Sequence, residues 1–280
     1  MTLRLRAWVG SPLDALRFTL RSRVAFRRGP PRLAHEPKDA LFDYLPDDEV
    51  SLAEAREREL RARYRLEPLY AQSTRLDYRD NVALLDALEA LVGSRPLVAR
   101  GAGPASVVDV GSKNFSYAFA LERFFRRAIG DARGLAVLGV EVDGHVVYRD
   151  LRSRRDHAEA YAAQTGNPDV RYLVADFCEL EAGPFDFATL LFPFMTRHAL
   201  ERWGLPARFF APERLIERAA QLTPHGDLLV LSQTEEERDI LVGIAGRVGL
   251  RVVATCPIPS KLVHYHAWTD DRHATRLHVG

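Results

Sequence analysis

The 280-residue chain can bury a large core as one domain, or as one domain with an appendage. At 47% hydrophobic, 28% charged and a net charge of +1, its composition is that of a globular protein. Such a balance excludes overall charge as a drive toward nucleic acid or membrane. All but three of the 39 basic residues are arginine, spread through the chain, which points to codon usage in a GC-rich, bacterial genome rather than to phosphate binding. Cys178 and Cys256 are isolated, as expected of reduced thiols in a cytoplasmic protein. No apolar run approaches the roughly 20 residues that span a bilayer. The basic first thirty residues lack the apolar segment and cleavage site of a secretory signal.

Residues 1–100 read as a helical region. Ser11-Pro12 has the form of an N-cap followed by proline at the first helical position, and Leu13, Leu16, Leu20 and Val24 then share one face. This basic segment, 11–28, is expected to be a helix packed on the domain with its arginines solvated; contact with a membrane surface or RNA is the alternative. Residues 29–50, opening on Gly29-Pro30-Pro31, read as loop. A capping box from Ser51 to Glu54 predicts a second helix, supported by the pairs Glu54–Arg58, Glu57–Arg61 and Glu59–Arg63. A third runs from about Arg79 to Val92, with Val82, Leu85, Leu88 and Val92 facing inward and Gly93 closing it.

From residue 101 onward, strand and helix patterns alternate. Strands are expected at 105–110, 135–141, 170–175, 186–192, 227–232, 251–256 and 262–268. Helices are expected at 117–128, 151–164, 211–222 and 235–248, the last behind a capping box from Thr234 to Glu237. Such alternation implies a parallel sheet covered on both faces. The short link Pro257–Lys261 suits an antiparallel hairpin between the last two strands, and the last dozen residues read as a polar tail.

Three of these strands end on an acid. Asp109 precedes Gly111 in Ser106-Val-Val-Asp-Val-Gly-Ser-Lys-Asn-Phe115, Glu141 closes Leu138-Gly-Val-Glu141, and Asp176 closes Tyr172-Leu-Val-Ala-Asp176. Over about residues 103–268 this arrangement resembles the class I S-adenosylmethionine-dependent methyltransferases. The resemblance implies an α/β fold, a seven-stranded Rossmann-like sheet with helices on both faces. A methyltransferase domain of residues 101–280 would follow an N-terminal helical cap of residues 1–100.

By this resemblance the cofactor is S-adenosylmethionine. The resemblance gives Asp109 and Gly111 to its methionine end, Glu141 to its ribose, and Asp176 with Phe177 to its adenine; Ser112 and Lys113 stand in the same loop, and the compact Lys113 cation suits the methionine carboxylate. The family's Gly-x-Gly-x-Gly turn is here Gly111-Ser-Lys-Asn-Phe115, with only the first glycine kept. The interval from Asp109 to Glu141 exceeds the roughly 20 residues of the dinucleotide fingerprint. Phe192, Phe194 and Met195 fall where the family's acceptor site lies, with core packing as the competing reading. His198 beside them is a candidate general base or a packed side chain. Tyr64, Tyr70 and Tyr78 are expected near the pocket mouth. His264 and His266 share a strand face but find no third ligand, so no metal site is expected.

The acceptor is expected to be a small molecule with an oxygen or nitrogen nucleophile. The stretch Phe192-Pro-Phe-Met195 lacks the Asn-Pro-Pro-Tyr or Asp-Pro-Pro-Tyr signature of enzymes that methylate exocyclic amines of bases. Three alternatives remain: an RNA or protein methyltransferase docking through the arginine-rich N-terminus, a catalytically inactive relative, and, as a weaker third, a nicotinamide oxidoreductase. Oligomeric state is not legible in the sequence.

Overall fold

The computed structural model describes residues 2–93, 95–258, 262 and 271–280, with side chains from residue 12 onward. Seven strands form one sheet: β1 (Ala105–Val110), β2 (Leu135–Glu141), β3 (Val170–Val174), β4 (Phe187–Leu191), β5 (Asp227–Ser232), β6 (Arg251–Pro257) and β7 (His273–His278). Their order is β3-β2-β1-β4-β5-β7-β6. The first five run parallel, and β7 lies antiparallel between β5 and β6.

Alternation along the strands builds a core on each face. Val107, Leu229 and Leu231 point to one side, where they meet α4 (Arg75–Val92), α5 (Ala118–Ile129) and α6 (Arg154–Gln164). Val108, Val110, Leu228 and Val230 point to the other, against α8 (Pro212–Leu222) and α9 (Glu235–Arg247). The helices α2 (Asp47–Tyr64) and α4 share the first core with the sheet, through Leu60, Val82, Leu85 and Leu88. The anticipated pairs within α2 form, with Glu54–Arg58 and Glu57–Arg61 both at 3.5 Å and Glu59–Arg63 in contact.

Several sequence expectations are corrected. The first helix, α1 (Thr2–Val24), carries Pro12 inside it rather than at its start. Leu13, Leu16, Leu20 and Val24 are exposed, and Phe18 is the side chain that packs inward, tilted against Phe209 at 5.0 Å. α2 begins at Asp47 behind Pro46, so Ser51 lies within it. Its first turn carries Asp47, Asp48 and Glu49, which complement the helix dipole. A short helix, α3 (Glu67–Ala71), precedes α4, which starts four residues earlier than its apolar pattern because Thr74 accepts from Asp77 N–H at 3.0 Å.

The largest correction concerns β7. The expected strand 262–268, with His264 and His266, lies outside the described residues except for Leu262, which is buried. The supposed polar tail instead supplies the strand. Its polarity is deceptive because buried Arg276 donates to Asp227 Oδ2 at 2.7 Å, and His278 Nδ1 sits 2.9 Å from Asp227 Oδ1. With those charges paired, Ala274, Thr275 and Leu277 are fully buried.

One carboxylate takes a large part in holding the chain that follows α1. Ser153 caps α6 in a reciprocal box with Asp156, and Asp156 also accepts from the N–H groups of Arg28 and Gly29, each at 3.0 Å. Burial opposes ionisation there, but the donors from Arg28, Ser153 and Gly29 prevail and hold this carboxyl down at about 2. A depressed carboxyl stabilises the fold above its unfolded value and loses that contribution as pH falls toward about 2. Asp156→Ala is expected to cost about 1–2 kcal/mol in urea denaturation at neutral pH. The gap between variant and parent should narrow as the pH falls from about 4 to 2.

Candidate functional site

A cavity of about 470 Å³ opens at the C-terminal ends of the parallel strands, within the roughly 300–1,000 Å³ typical of ligand pockets. Gly111 and Lys113 line it after β1, Glu141 at the end of β2, Asp176 and Phe177 after β3, and Phe192 and Phe194 after β4. It straddles the boundary between β1 and β4, where the strand order reverses and ligands of open α/β sheets bind. One wall comes from the segment around α7 (Arg197–Arg202), through Trp203, Leu205 and Phe209. The opposite wall is a stripe of α4, Asp80-Ala83-Leu84-Ala87, at the spacing of one helix face.

The loop after β1 keeps a glycine-like path without the glycines. Gly111, Lys113 and Phe115 all have positive φ, at +76°, +49° and +57°. These are the three positions that hold glycine in the family's turn, and a left-handed residue with a side chain costs about 1–2 kcal/mol. The strain persists because both backbone groups of Lys113 are engaged. Its N–H donates to Glu141 Oε2 at 2.9 Å, and the Tyr172 hydroxyl donates to its carbonyl at 2.6 Å. Phe115 is fully buried, edge-on to Tyr117 at 5.8 Å, so it does not block the cavity.

The loop also lies close against β2. A Cβ on Gly139 would meet Ser112 Oγ at 2.9 Å and the Phe115 ring at 3.1 Å. Nothing in the one-dimensional pattern marks this glycine, because the approach is made by a distant loop. Gly139→Ala should force that loop off the sheet and destabilise the protein by about 1–3 kcal/mol, read from the urea midpoint.

Glu141 faces the cavity from a fixed position. Oε1 accepts from Asp143 N–H at 2.8 Å and Oε2 from Lys113 N–H, and the Arg154 guanidinium stands 3.5 Å away. Each carboxylate oxygen can accept a second bond. Arg21 of α1 grips Asp143 with two bonds, at 2.6 and 2.7 Å, which ties the N-terminal helix to the turn that holds Glu141. Asp176 caps the turn after β3 by accepting from Cys178 N–H at 2.9 Å.

Other expected site residues stand elsewhere. Asp109 is fully buried behind the wall, accepting from Thr189 Oγ1 at 2.6 Å and Tyr117 OH at 2.8 Å. Burial pushes its carboxyl up despite those donors. Ser112 is likewise fully buried, its hydroxyl donating to the Asp109 carbonyl at 2.8 Å. Met195 packs into the core on the α8–α9 face. His198 is exposed on α7 and does not line the cavity, so the position expected of a general base is not realised.

Tyr64, Tyr70 and Tyr78 do not line the cavity either. Tyr64 donates to Glu89 at 2.8 Å, Tyr78 donates to Glu57, and Tyr70 stands edge-on to Tyr78 at 5.1 Å. The N-terminal region does reach the cavity, through the neighbouring face of α4. Buried Asn81 fixes that face: Nδ2 donates to Ser116 C=O at 2.9 Å, and Ala120 N–H donates to Oδ1 at 3.0 Å.

Sequence reasoning missed Asp80, Arg154, Trp203, Gln233, Glu237 and Arg272 as lining residues. Burial, and then the nearby Arg154, push the Lys113 ammonium down, and it lies 5.4 Å from the Trp203 ring centre. Burial raises the Glu237 carboxyl. Among the described residues, no group of three potential ligands could hold a metal.

Five parallel strands, the reversal between β1 and β4, and β7 inserted antiparallel between β5 and β6 together decide the architecture. The fold is that of the class I S-adenosylmethionine-dependent methyltransferases. No protein-family model and no curated protein sequence matches the chain. Solved structures similar to it include a SAM-dependent methyltransferase from Aquifex aeolicus, at 13% identity over 64% of this chain and 85% of that one, with a TM-score of 0.44. Another is the magnesium protoporphyrin IX methyltransferase from Synechocystis with bound SAH, at 13% identity over 88% and 100%, TM-score 0.44. A third is a TehB-like SAM-dependent methyltransferase from Corynebacterium glutamicum, at 12% over 82% and 99%, TM-score 0.41.

Proposed function

We propose that the chain is an S-adenosylmethionine-dependent methyltransferase acting on the oxygen or nitrogen of a small molecule. The observation that carries this reading is that Gly111, Glu141 and Asp176 line one cavity at the topological switch point. When bound, S-adenosylmethionine supplies an electrophilic methyl carbon whose departure leaves a neutral thioether.

The residues present suit such a donor. A Cβ at Gly111 would meet no atom within 4 Å, so the backbone there can be approached closely from the cavity. The free acceptor capacity of Glu141 suits two vicinal ribose hydroxyls, and Asp176 with Phe177 suits an adenine amino group and ring face. Lys113, with its ammonium in the cavity wall, suits the donor's carboxylate.

A small acceptor is favoured over RNA. The walls from α4 and the α7 segment enclose the space beyond the strand ends. Two of the N-terminal arginines are already committed, Arg21 to Asp143 and Arg27 to Asp156 and Glu159. Phosphate contacts would instead give steeply salt-dependent RNA binding.

Titration calorimetry with S-adenosylhomocysteine tests the reading, with micromolar affinity as the expected result. Glu141→Gln loses the charge and keeps an acceptor for only one of the two backbone N–H groups, and should weaken binding roughly tenfold or more, since hydrogen bonds to charged groups contribute about 1.5–3 kcal/mol. An absence of heat from the parent protein at millimolar ligand would remove the proposal.

A further inference from the structure

The half of the cavity nearest α4 has an unusual composition. Its walls are apolar: Ala83, Leu84 and Ala87 on α4, Leu231 at the end of β5, Ile258 after β6, and Phe192 after β4. Asp80 is the ionisable side chain of the α4 wall. It forms no hydrogen bond or ion pair with any described residue, which is uncommon for a half-buried carboxylate. The cavity is also lined by Lys113 and by Arg272, whose guanidinium lies 5.4 Å from the Phe192 ring centre and donates to Gln233 at 3.0 Å.

Resting on the methyltransferase reading above, we infer that Asp80 is the general base for the acceptor and that the acceptor is an aryl hydroxyl. The apolar slot takes the ring. Asp80 accepts the hydroxyl hydrogen, and Arg272 stabilises the oxyanion that develops, Lys113 being engaged with the donor's carboxylate. Two cations in the wall disfavour an ammonium substrate, and an aryl hydroxyl, which ionises at about 10, gives up its proton far more readily than an alkyl alcohol. The proton moves to Asp80, the oxygen's electron pair forms the bond to the methyl carbon, and the carbon–sulfur pair stays on sulfur. The products are an aryl methyl ether and S-adenosylhomocysteine.

The surroundings tune Asp80 for this role. Burial first, then Asp77 one turn earlier on the same helix, raise its carboxyl, while Lys113, Arg79 and Arg272 act in the opposite sense; the balance stands at about 6. A base poised there is ionised at neutral pH yet basic enough to share a proton. Asn81, the next residue, clamps α4 to the loop before α5 and so fixes where Asp80 stands.

The probe is 4-methylphenol, which stays neutral below about pH 9, since phenolic groups ionise near 10. Its affinity is measured by calorimetry across pH 5–8, for the parent protein and Asp80→Asn, with S-adenosylhomocysteine affinity recorded in parallel. Parent affinity for the phenol should rise as pH passes about 6, where the carboxylate forms, and then level off. Asp80→Asn should bind S-adenosylhomocysteine like the parent, bind the phenol roughly tenfold more weakly and lose the pH step. With S-adenosylmethionine added, kcat for ether formation should fall about 100-fold or more in the variant. An unchanged phenol affinity and pH profile in Asp80→Asn overturns the assignment. So does a parent that binds S-adenosylhomocysteine but not the phenol, and that result leaves the donor reading standing. If S-adenosylhomocysteine also fails to bind, both fall.

Discussion

Asn81 has no exposed surface, and both ends of its amide are committed. Nδ2 donates to the carbonyls of Asp77 and Ser116, at 2.7 and 2.9 Å, and Oδ1 accepts from Ala120 N–H at 3.0 Å. The second and third of these bonds join a helix from the first hundred residues to the chain entering α5. The placing of the α4 wall hangs on that junction, because α5 follows the loop after β1 that also lines the cavity. A buried amide without partners is costly, on the order of 1–3 kcal/mol for each group left unsatisfied. The junction therefore tolerates little rotation of α4 about its axis, and the stripe of residues presented to the cavity is fixed with it.

Charge is arranged by the same economy of alternatives. Glu141 does not reach into open space; two backbone N–H groups and Arg154 hold it. Lys113 occupies a strained backbone position and is kept there by Glu141 and Tyr172 from two different strands. Strain of this sort survives where neighbouring groups over-determine it, and such places coincide with ligand sites more often than with bare scaffolding. Asp109, by contrast, is enclosed by Thr189 and Tyr117 and acts as a structural brace between β1 and β4.

Much of this architecture was legible in the sequence. Strands β1 to β6 lie within a residue or so of their apolar runs, because buried parallel strands need continuous hydrophobicity and are bounded by turns. The carboxylates at the ends of β2 and β3 were also legible, since acids at strand ends stand out against apolar runs. The loop's path was not: its two non-glycine residues with positive φ are stabilised by partners far away in sequence. Nor was β7, whose buried arginine and flanking histidines look like solvated chain until Asp227 is seen beside them. Asp80 stayed hidden for a different reason. On a helix rich in apolar residues, one acid at the right spacing is indistinguishable from a residue on the solvated side until the neighbouring wall is known.

The insertion of β7 also dictates an order of assembly. β6 comes earlier in the chain, yet among the described residues β7 is its one partner in the sheet, and most of its residues retain some solvent contact. During synthesis the five parallel strands and their helices can collapse first, leaving β5 with an open flank. Only when residues 273–278 arrive does that flank close and β6 gain a neighbour. Completion of the sheet is thus a late event, and until then the nascent domain carries an unsatisfied edge open to misplaced pairing.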